Sequence, residues 1–239
     1  MEPISPYPPR PVTRPVMLQN WRWLTFLHWR YQPSVIGPLL PKALTLDTFD
    51  GSAWVGLTPF LLANLRPPFT PALPWISQFP ETNVRTYVRG PDGERGVWFF
   101  TLEADRLLAV AGARLTYRLP YRWAKMSVCR GDSTVEYLSV RHHSFGQGSA
   151  DIAIAPGDEL KAGDLDNFLT ARYRLYTKFK SGIGFAQIEH APWNLRHALV
   201  IRLNQTLVEH SGVPRPADQP IAHFSESLDV RIGGIQWFG

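Results

Sequence analysis

The stretch FPETNVRTYVRGPDGERGVWFFTLEA, residues 79–104, decides the fold. Two runs with the composition and alternation of β-strands flank GPDGERG, a segment of turn-forming residues, and together they predict a β-hairpin. Because successive side chains of a strand point to opposite faces, Glu81, Asn83, Arg85 and Tyr87 share one face of the first strand. If the valines of the other face pack on the core, the glutamate face is either solvent-exposed or the lining of a polar cavity.

Further hairpins are predicted on both sides of this stretch. Asp50-Gly51 lies between two apolar runs, which is a strong hairpin signal, and Gly131-Asp132 predicts another turn of the same kind. Single strands are predicted over 172–180, 184–193 and 195–203.

The segment WRWLTFLHWRY, residues 21–31, is apolar on both faces and predicts a strand buried on both sides. Strict alternation places Trp21 and Leu27 on one face, and Leu24 and Phe26 on the other.

Short helices are predicted after Pro33, from Asp105, from Asp164, and from the N-cap Asn204 to Gly212. Hairpins dominate and βαβ spacing is absent, so the fold class is α+β with an antiparallel sheet or barrel and a few packed helices.

The domain organisation is simple. Residues 1–16 carry prolines around Tyr7 and no apolar period, which predicts an extended arm outside the core. Residues 17–239 are expected to form one domain, because a chain of 239 residues with 44% hydrophobic residues can build one large core. No apolar run is long enough for a membrane helix and Cys129 is the lone cysteine, so we expect a cytoplasmic protein with no membrane partner.

The charge is basic, +5 at pH 7, and comes mostly from arginine. Arginine suits carboxylates and phosphates, so a small anionic ligand is expected as the partner. The arginines are spread along the chain and form no long basic block, which argues against nucleic acid. The oligomeric state stays open.

Motifs for nucleotide binding, for a serine nucleophile elbow and for zinc binding are absent from the sequence. Neighbouring His142 and His143 point to opposite faces if they lie on a strand and cannot easily share one ion. The sequence therefore predicts no cofactor and no structural metal.

Several segments in order along the chain resemble the YqjF-like family of bacterial proteins, also called domain of unknown function 2071, which is distantly similar to acetoacetate decarboxylase. These segments are FLHW, DTFDGSAWVGLTPF, LRPP, FPETNVRTYV, GVWFFTLEAD, LPYRWAKM, FLTARYRLY and HAPW. The resemblance implies a cone-shaped antiparallel β-barrel with an internal polar pocket.

Acetoacetate decarboxylase forms a Schiff base through a lysine of a Pro-Lys-Lys motif. The matching segment here is Leu119-Pro120-Tyr121-Arg122, which replaces both lysines and argues against this chemistry. Lys125 is the one candidate substitute, because alternation places Tyr121, Trp123 and Lys125 on one strand face. The alternative is a solvated Lys125 whose stem covers Trp123.

The resemblance also assigns candidate site residues. Glu81 matches the pocket glutamate of the decarboxylase family and becomes the candidate general acid or base, with Tyr121 as a hydrogen-bond donor to an oxyanion or enol. Arg85 or Arg66 would receive a substrate carboxylate, and Asn83 lies on the same strand face. The alternative for all of them is a buried polar network without catalysis.

Three functions remain open on this basis. The first is an acid–base enzyme, decarboxylase-, aldolase- or dehydratase-like, acting on a small keto or hydroxy acid without a Schiff base. The second is a binding module that holds a small ligand and catalyses nothing. The third is an anion or nucleic-acid surface binder that uses RYRLYTKFK, residues 172–180, whose alternate residues form a basic strip.

Overall fold

The computed structural model describes residues 3–180 and 182–238, apart from the side chains of 108–111 and 113. The first two residues of the predicted arm therefore lie outside the described residues. The strands are β1 Pro15–Tyr31, β2 Thr45–Leu46, β3 Ala53–Arg66, β4 Phe79–Arg89, β5 Arg95–Ala104, β6 Tyr121–Arg130, β7 Val135–Arg141, β8 Ser149–Glu159, β9 Arg174–Phe179, β10 Gly182–His190, β11 Arg196–Gln205, β12 Ile221–Gly233 and β13 Gln236–Trp237. The helices are α1 Pro33–Ile36, α2 Leu107–Thr116 and α3 Asp164–Thr170.

The thirteen strands of the described residues form one sheet, in the order β13-β10-β9-β5-β6-β7-β8-β11-β12-β1-β3-β4-β2. Two further pairings, β10 with β12 and β5 with β4, connect strands that are distant in this order. As a result β1, β3, β4, β5, β9, β10 and β12 form a closed ring of paired strands. This mostly-sheet architecture with few helices agrees with the predicted class.

Two strand pairings differ from the antiparallel expectation. β5 pairs parallel with β6 and with β9, and α2 connects β5 to β6. The expectation that the chain has no βαβ unit is therefore wrong for β5, α2 and β6. The consequence is a direct pairing of Leu102 with Tyr121, which brings the start of β6 beside β4 through β5.

The hairpins at 79–104 and around Gly131-Asp132 are confirmed. Asp50-Gly51 does form a tight turn with positive φ at both residues, closed by a bridge between Phe49 and Ser52. No strand ladder extends from this turn, however, because β2 pairs with β4 instead of β3.

β1 is longer than predicted, and its strict alternation fails at Trp23. That residue has a φ of 48°, and the β1–β3 register shifts between Arg22 and Leu27. Trp21 therefore lies on the same side as Leu24 and Phe26, and not on the side of Leu27. A bulge of this kind inserts one residue and reverses the facing of everything after it.

The predicted helix from Asn204 to Gly212 is wrong except for one 3-10 turn at Glu209–Ser211. Asn204 is still in β11, and Leu207 and Val208 are fully buried in the core, which fixes the chain in an irregular path. The short helices after Pro33, after Asp105 and at Asp164 are confirmed. β8 and β12 had no sequence prediction.

The N-terminal arm is in contact with the domain. Val12 is buried, and its backbone N–H donates to Glu189 Oε2 at 2.6 Å. The Tyr173 hydroxyl donates to the carbonyl of Pro6. The expectation that the arm lies outside the core fails at Val12. None of the helices among the described residues is long and apolar enough to span a membrane.

A buried ion pair connects β5 and β7 across β6. Arg141 Nη2 and Nε donate to the two oxygens of Glu103 at 2.6 and 3.0 Å, and both residues are buried. Removing one partner leaves the other charge buried and unpaired, which is costly, whereas an apolar pair of similar volume avoids that penalty.

We therefore expect Arg141→Met to lower the free energy of unfolding by about 3–5 kcal/mol. The double variant Glu103→Leu/Arg141→Met should recover at least half of that loss. Urea denaturation measures both. Equal losses in the single and double variants would contradict the assignment of the effect to the unpaired carboxylate.

Candidate functional site

A cavity lies within the ring of strands formed by β1, β3, β4, β5, β9, β10 and β12. The cavity volume is about 90 Å³. A cavity needs roughly 10–15 Å³ to hold one water molecule, so this one has room for a small ligand. Glu81, Asn83 and Arg85 of β4 all line it. Of the two alternatives left open for this strand face, solvent or a polar cavity, the structure shows the cavity.

Glu81 and Tyr121 meet in this cavity. The Tyr121 hydroxyl donates to Glu81 Oε2 at 2.9 Å, and Glu81 is 4% exposed. Burial raises the pKa of Glu81 to about 7, and the hydrogen bond from Tyr121 opposes that rise only in part. Burial and the neighbouring Glu81 hold the pKa of Tyr121 well above its ordinary value, so its hydroxyl stays neutral. The pair combines a carboxyl that titrates near neutrality with a fixed hydrogen-bond donor.

Arg85 is a buried guanidinium without an ion-pair partner among the described residues. It is 7% exposed, donates from Nη2 to the Leu169 carbonyl at 3.3 Å, and has no hydrogen bond at Nε. Its guanidinium carbon lies 5.2 Å from the centre of the Phe26 ring, which provides a cation–π contact. Within the described part of the chain, Asn83 Oδ1 is also buried without a partner, which suits a ligand hydroxyl as donor. A buried guanidinium with an unsatisfied donor is costly, so the surroundings of Arg85 are suited to an anionic ligand.

Among the polar groups of the cavity that the sequence did not assign to the site are Arg172 and His190. Arg172 donates from Nη1 to Asp47 Oδ2 at 2.7 Å, whereas its Nη2 has no partner. His190 lies 2.7 Å through Nδ1 from the Ala191 carbonyl, and burial lowers the pKa of the imidazole to about 4. His190 is therefore neutral, as expected for a core histidine. Both residues lie in segments that carried the family resemblance, FLTARYRLY and HAPW, and that was the available signal.

The basic strip predicted over 172–180 does not form a surface. Arg172 and Arg174 are buried, and Arg174 pairs with Asp92 and Glu94 at 2.7 and 2.5 Å. Only Lys178 and Lys180 of the predicted strip are exposed. β9 begins at Arg174, and Arg172 and Arg174 are both buried in the domain, so the surface-binding hypothesis loses the feature on which it rested.

Two predicted site residues lie away from the cavity. Lys125 is exposed and does not line the cavity, because β6 leaves it after Tyr121 and runs as a partly exposed strand. Arg66 lies at the end of β3 and donates to the Thr70 carbonyl at 3.5 Å in the loop that follows. Of the two predicted arginines only Arg85 therefore lines the cavity, and Lys125 does not provide an amine inside it.

No lysine lines the cavity. Each of the five lysines of the sequence lies at the surface with an exposed side chain: Lys42, Lys125, Lys161, Lys178 and Lys180. Tyr121 and Arg122 follow Pro120 where the decarboxylase motif has its lysines, and Tyr121 is the one that lines the cavity. Within the described part of the chain, no cluster of His, Cys, Asp and Glu residues has the arrangement of a metal site.

The sequence profile of domain of unknown function 2071, described as an uncharacterized conserved protein, matches residues 18–229. The chain belongs to this family. Uncharacterized protein YqjF of Bacillus subtilis (strain 168) is 36% identical over 217 residues, which cover 90% of this chain and 89% of YqjF.

Solved structures extend the similarity of this YqjF-like chain at the level of the fold. The enduracididine biosynthesis enzyme MppR complexed with pyruvate has a TM-score of 0.68 and 12% identity, covering 94% of this chain and 91% of MppR. An acetoacetate decarboxylase-like enzyme from Sphingomonas wittichii RW1 has a TM-score of 0.64 and 13% identity, covering 97% and 96% of the two chains. Acetoacetate decarboxylase from Legionella pneumophila has a TM-score of 0.63 and 13% identity, with 95% and 92% covered. The YqjF-like chain thus has an acetoacetate decarboxylase-like fold.

The raised pKa of Glu81 predicts a pH-dependent stability. The folded protein keeps a proton on Glu81 up to about pH 7, whereas the unfolded chain releases it near the ordinary pKa of 4.5. The proton on Glu81 therefore contributes fully to the free energy of unfolding below pH 4.5. About 3 kcal/mol of that free energy is lost as the pH rises to about 7. Glu81→Gln should abolish this loss.

Urea midpoints measured from pH 4 to 8 test the prediction, with the exposed Glu159→Gln as the matched control. The parent and Glu159→Gln should lose stability with rising pH relative to Glu81→Gln. Parallel curves for all three would contradict the raised pKa.

Proposed function

We propose that this YqjF-like protein is an acid–base enzyme that moves a proton at the carbon next to the carbonyl of a small keto or hydroxy acid, without a Schiff base. The observation that carries the proposal is the Tyr121–Glu81 hydrogen bond of 2.9 Å in a cavity that also holds the unpaired Arg85. A general base, a hydrogen-bond donor and a cationic anchor are the minimum set for this chemistry.

Each group has one role in the proposed reaction. Arg85 binds the substrate carboxylate, with Asn83 beside it. The Glu81 carboxylate takes the proton from the carbon next to the carbonyl, and the electron pair of that C–H bond moves toward the carbonyl oxygen. Tyr121 donates a hydrogen bond to this oxygen as its negative charge develops. Return of the proton from Glu81 completes the exchange.

The proposed architecture around this site is the cone-shaped barrel that the family resemblance implies. The closed ring of pairings among seven strands supports it, with β5–β9 as a parallel pair in an otherwise antiparallel ring. Such a ring excludes bulk water from the proton-transfer groups, which strengthens their electrostatic interactions.

The absence of a cavity lysine predicts the result of trapping with borohydride. Incubation with pyruvate or acetoacetate and sodium borohydride should leave the intact mass unchanged, because borohydride fixes only an imine between substrate and amine. An acetoacetate decarboxylase treated in parallel should gain the mass of the reduced adduct. A stable adduct on any lysine of this chain would overturn the proposal that the chemistry proceeds without a Schiff base.

Proton exchange tests the proposed reaction directly. In D₂O, the protein should accelerate loss of the C3 proton signals of 2-oxobutanoate or pyruvate in NMR spectra, and the rate should rise as the pH passes about 7 because Glu81 becomes a carboxylate. We expect Glu81→Gln to slow exchange by at least about 100-fold, with Lys125→Ala unchanged as the surface control. Equal exchange in the parent and Glu81→Gln would exclude Glu81 as the base.

A non-catalytic binding module is the second candidate. It is favoured by Arg85 Nε, a buried donor with no hydrogen bond among the described residues, which can hold a carboxylate without any reaction. Thermal-shift screening of small carboxylic acids, followed by NMR assays of each hit, separates the two candidates. Binding that requires Arg85, with neither exchange nor product for any hit, would establish the module and exclude the enzyme.

A further inference from the structure

One wall of the cavity has no role in the proposed proton transfer. It consists of aliphatic side chains from five neighbouring strands of the ring, which we call the apolar wall: Val97, Leu175, Ile188, Ile232 and Met17. Strand pairing joins them into one surface, since Val97 pairs with Leu175, and Ile232 pairs with both Ile188 and Met17. Leu175 and Ile188 lie on adjacent strands, β9 and β10.

The charged groups of the cavity come from other elements. All three cavity-lining side chains of β4 are polar or charged, and Arg172 follows α3. By contrast, β9 and β12 contribute only aliphatic side chains to the lining. The cavity is therefore divided into a charged region and an aliphatic region, as in a site for a ligand with two chemically different ends.

A compact keto acid would satisfy only the charged region. Its few atoms could contact Arg85 and Glu81, but they would leave the apolar wall facing water. Aliphatic surface is stabilised by removal from water, and pockets of this composition bind ligands through apolar contact, with a few polar groups that fix the orientation.

We propose that the ligand is a monocarboxylic acid with an extended apolar body, with its carboxylate at Arg85 and its chain against the apolar wall. This inference rests on the proposed function for the position of the carboxylate, and it adds the class of substrate. Arg172 Nη2, which is buried and has no hydrogen bond among the described residues, provides a further donor for the head group.

Isothermal titration calorimetry with acetate, butanoate, hexanoate and octanoate tests the proposal without need of turnover. Burying one methylene group contributes about a fourfold increase in affinity, so hexanoate should bind at least tenfold tighter than butanoate. 1-Hexanol should bind at least tenfold more weakly than hexanoate, because it lacks the carboxylate.

Variants assign the two ends of the ligand. Ile188→Ala should weaken hexanoate binding about tenfold and leave acetate unchanged, whereas Arg85→Met should reduce the affinity for every acid. Ile201→Ala is the matched control, because Ile201 lies on β11 with 55% of its surface exposed. Thermal melting of each variant verifies folding, and the series on the parent protein does not depend on any variant.

The outcomes separate this inference from the proposed function. Equal affinities for acetate and hexanoate would overturn the apolar body and leave the carboxylate anchor intact. Equal binding of 1-hexanol and hexanoate would overturn the anchor and, with it, both proposals. Tight binding of hexanoate with no proton exchange on any keto acid would support this inference and exclude the enzyme. Binding of no acid at all would overturn both.

Discussion

The removal of charged groups from water on the inner face of β4 is the constraint on which the site depends. Glu81 and Arg85 lie on the same face of one strand, yet they form no ion pair with each other. Glu81 accepts a hydrogen bond from Tyr121, whereas Arg85 Nε has no partner among the described residues. Burial drives the carboxyl toward its neutral form, and a guanidinium that stays charged needs an anion. Both demands arise from the same enclosure.

The rest of the domain treats buried charge differently. Glu103 is held by two hydrogen bonds from Arg141, and Asp47 receives hydrogen bonds from Arg89 and Arg172. The carboxylates of these clusters are paired within the protein, and the pairs connect segments that are distant in sequence. The contrast separates structural pairs from groups that are available to a ligand. Arg172 belongs to both kinds, since one of its nitrogens is held by Asp47 and another has no partner.

Local patterns predicted the parts of the fold that depend on neighbouring residues. The hairpin at 79–104 and the shared face of Glu81, Asn83 and Arg85 follow from alternation and turn chemistry, whereas the cavity and the role of Glu81 were suggested by the family resemblance. The parallel pairing that brings Tyr121 near Glu81 is a long-range event, and alternation within one strand contains no information about it. Of the two placements left open for Lys125, the inward one fails for a related reason, because the same strand leaves the cavity within a few residues of Tyr121 and Lys125 is exposed. Arg172 escaped detection because an alternating basic pattern cannot distinguish a solvated face from arginines paired inside a core.

The irregularity at Trp23 has a wider consequence for β1. Before it, odd-numbered residues such as Trp21 face the cavity side, and after it the even-numbered Leu24 and Phe26 do so. The alternation of side chains between the two faces of β1 therefore shifts by one residue at Trp23. One continuous strand thus contributes side chains to two separate hydrophobic clusters. Deleting or inserting one residue at this point would move the side chains that follow it to the opposite face of the strand. The positions of Trp21 and Leu24 in the cavity lining therefore depend on the positive φ of Trp23, which residues other than glycine rarely adopt.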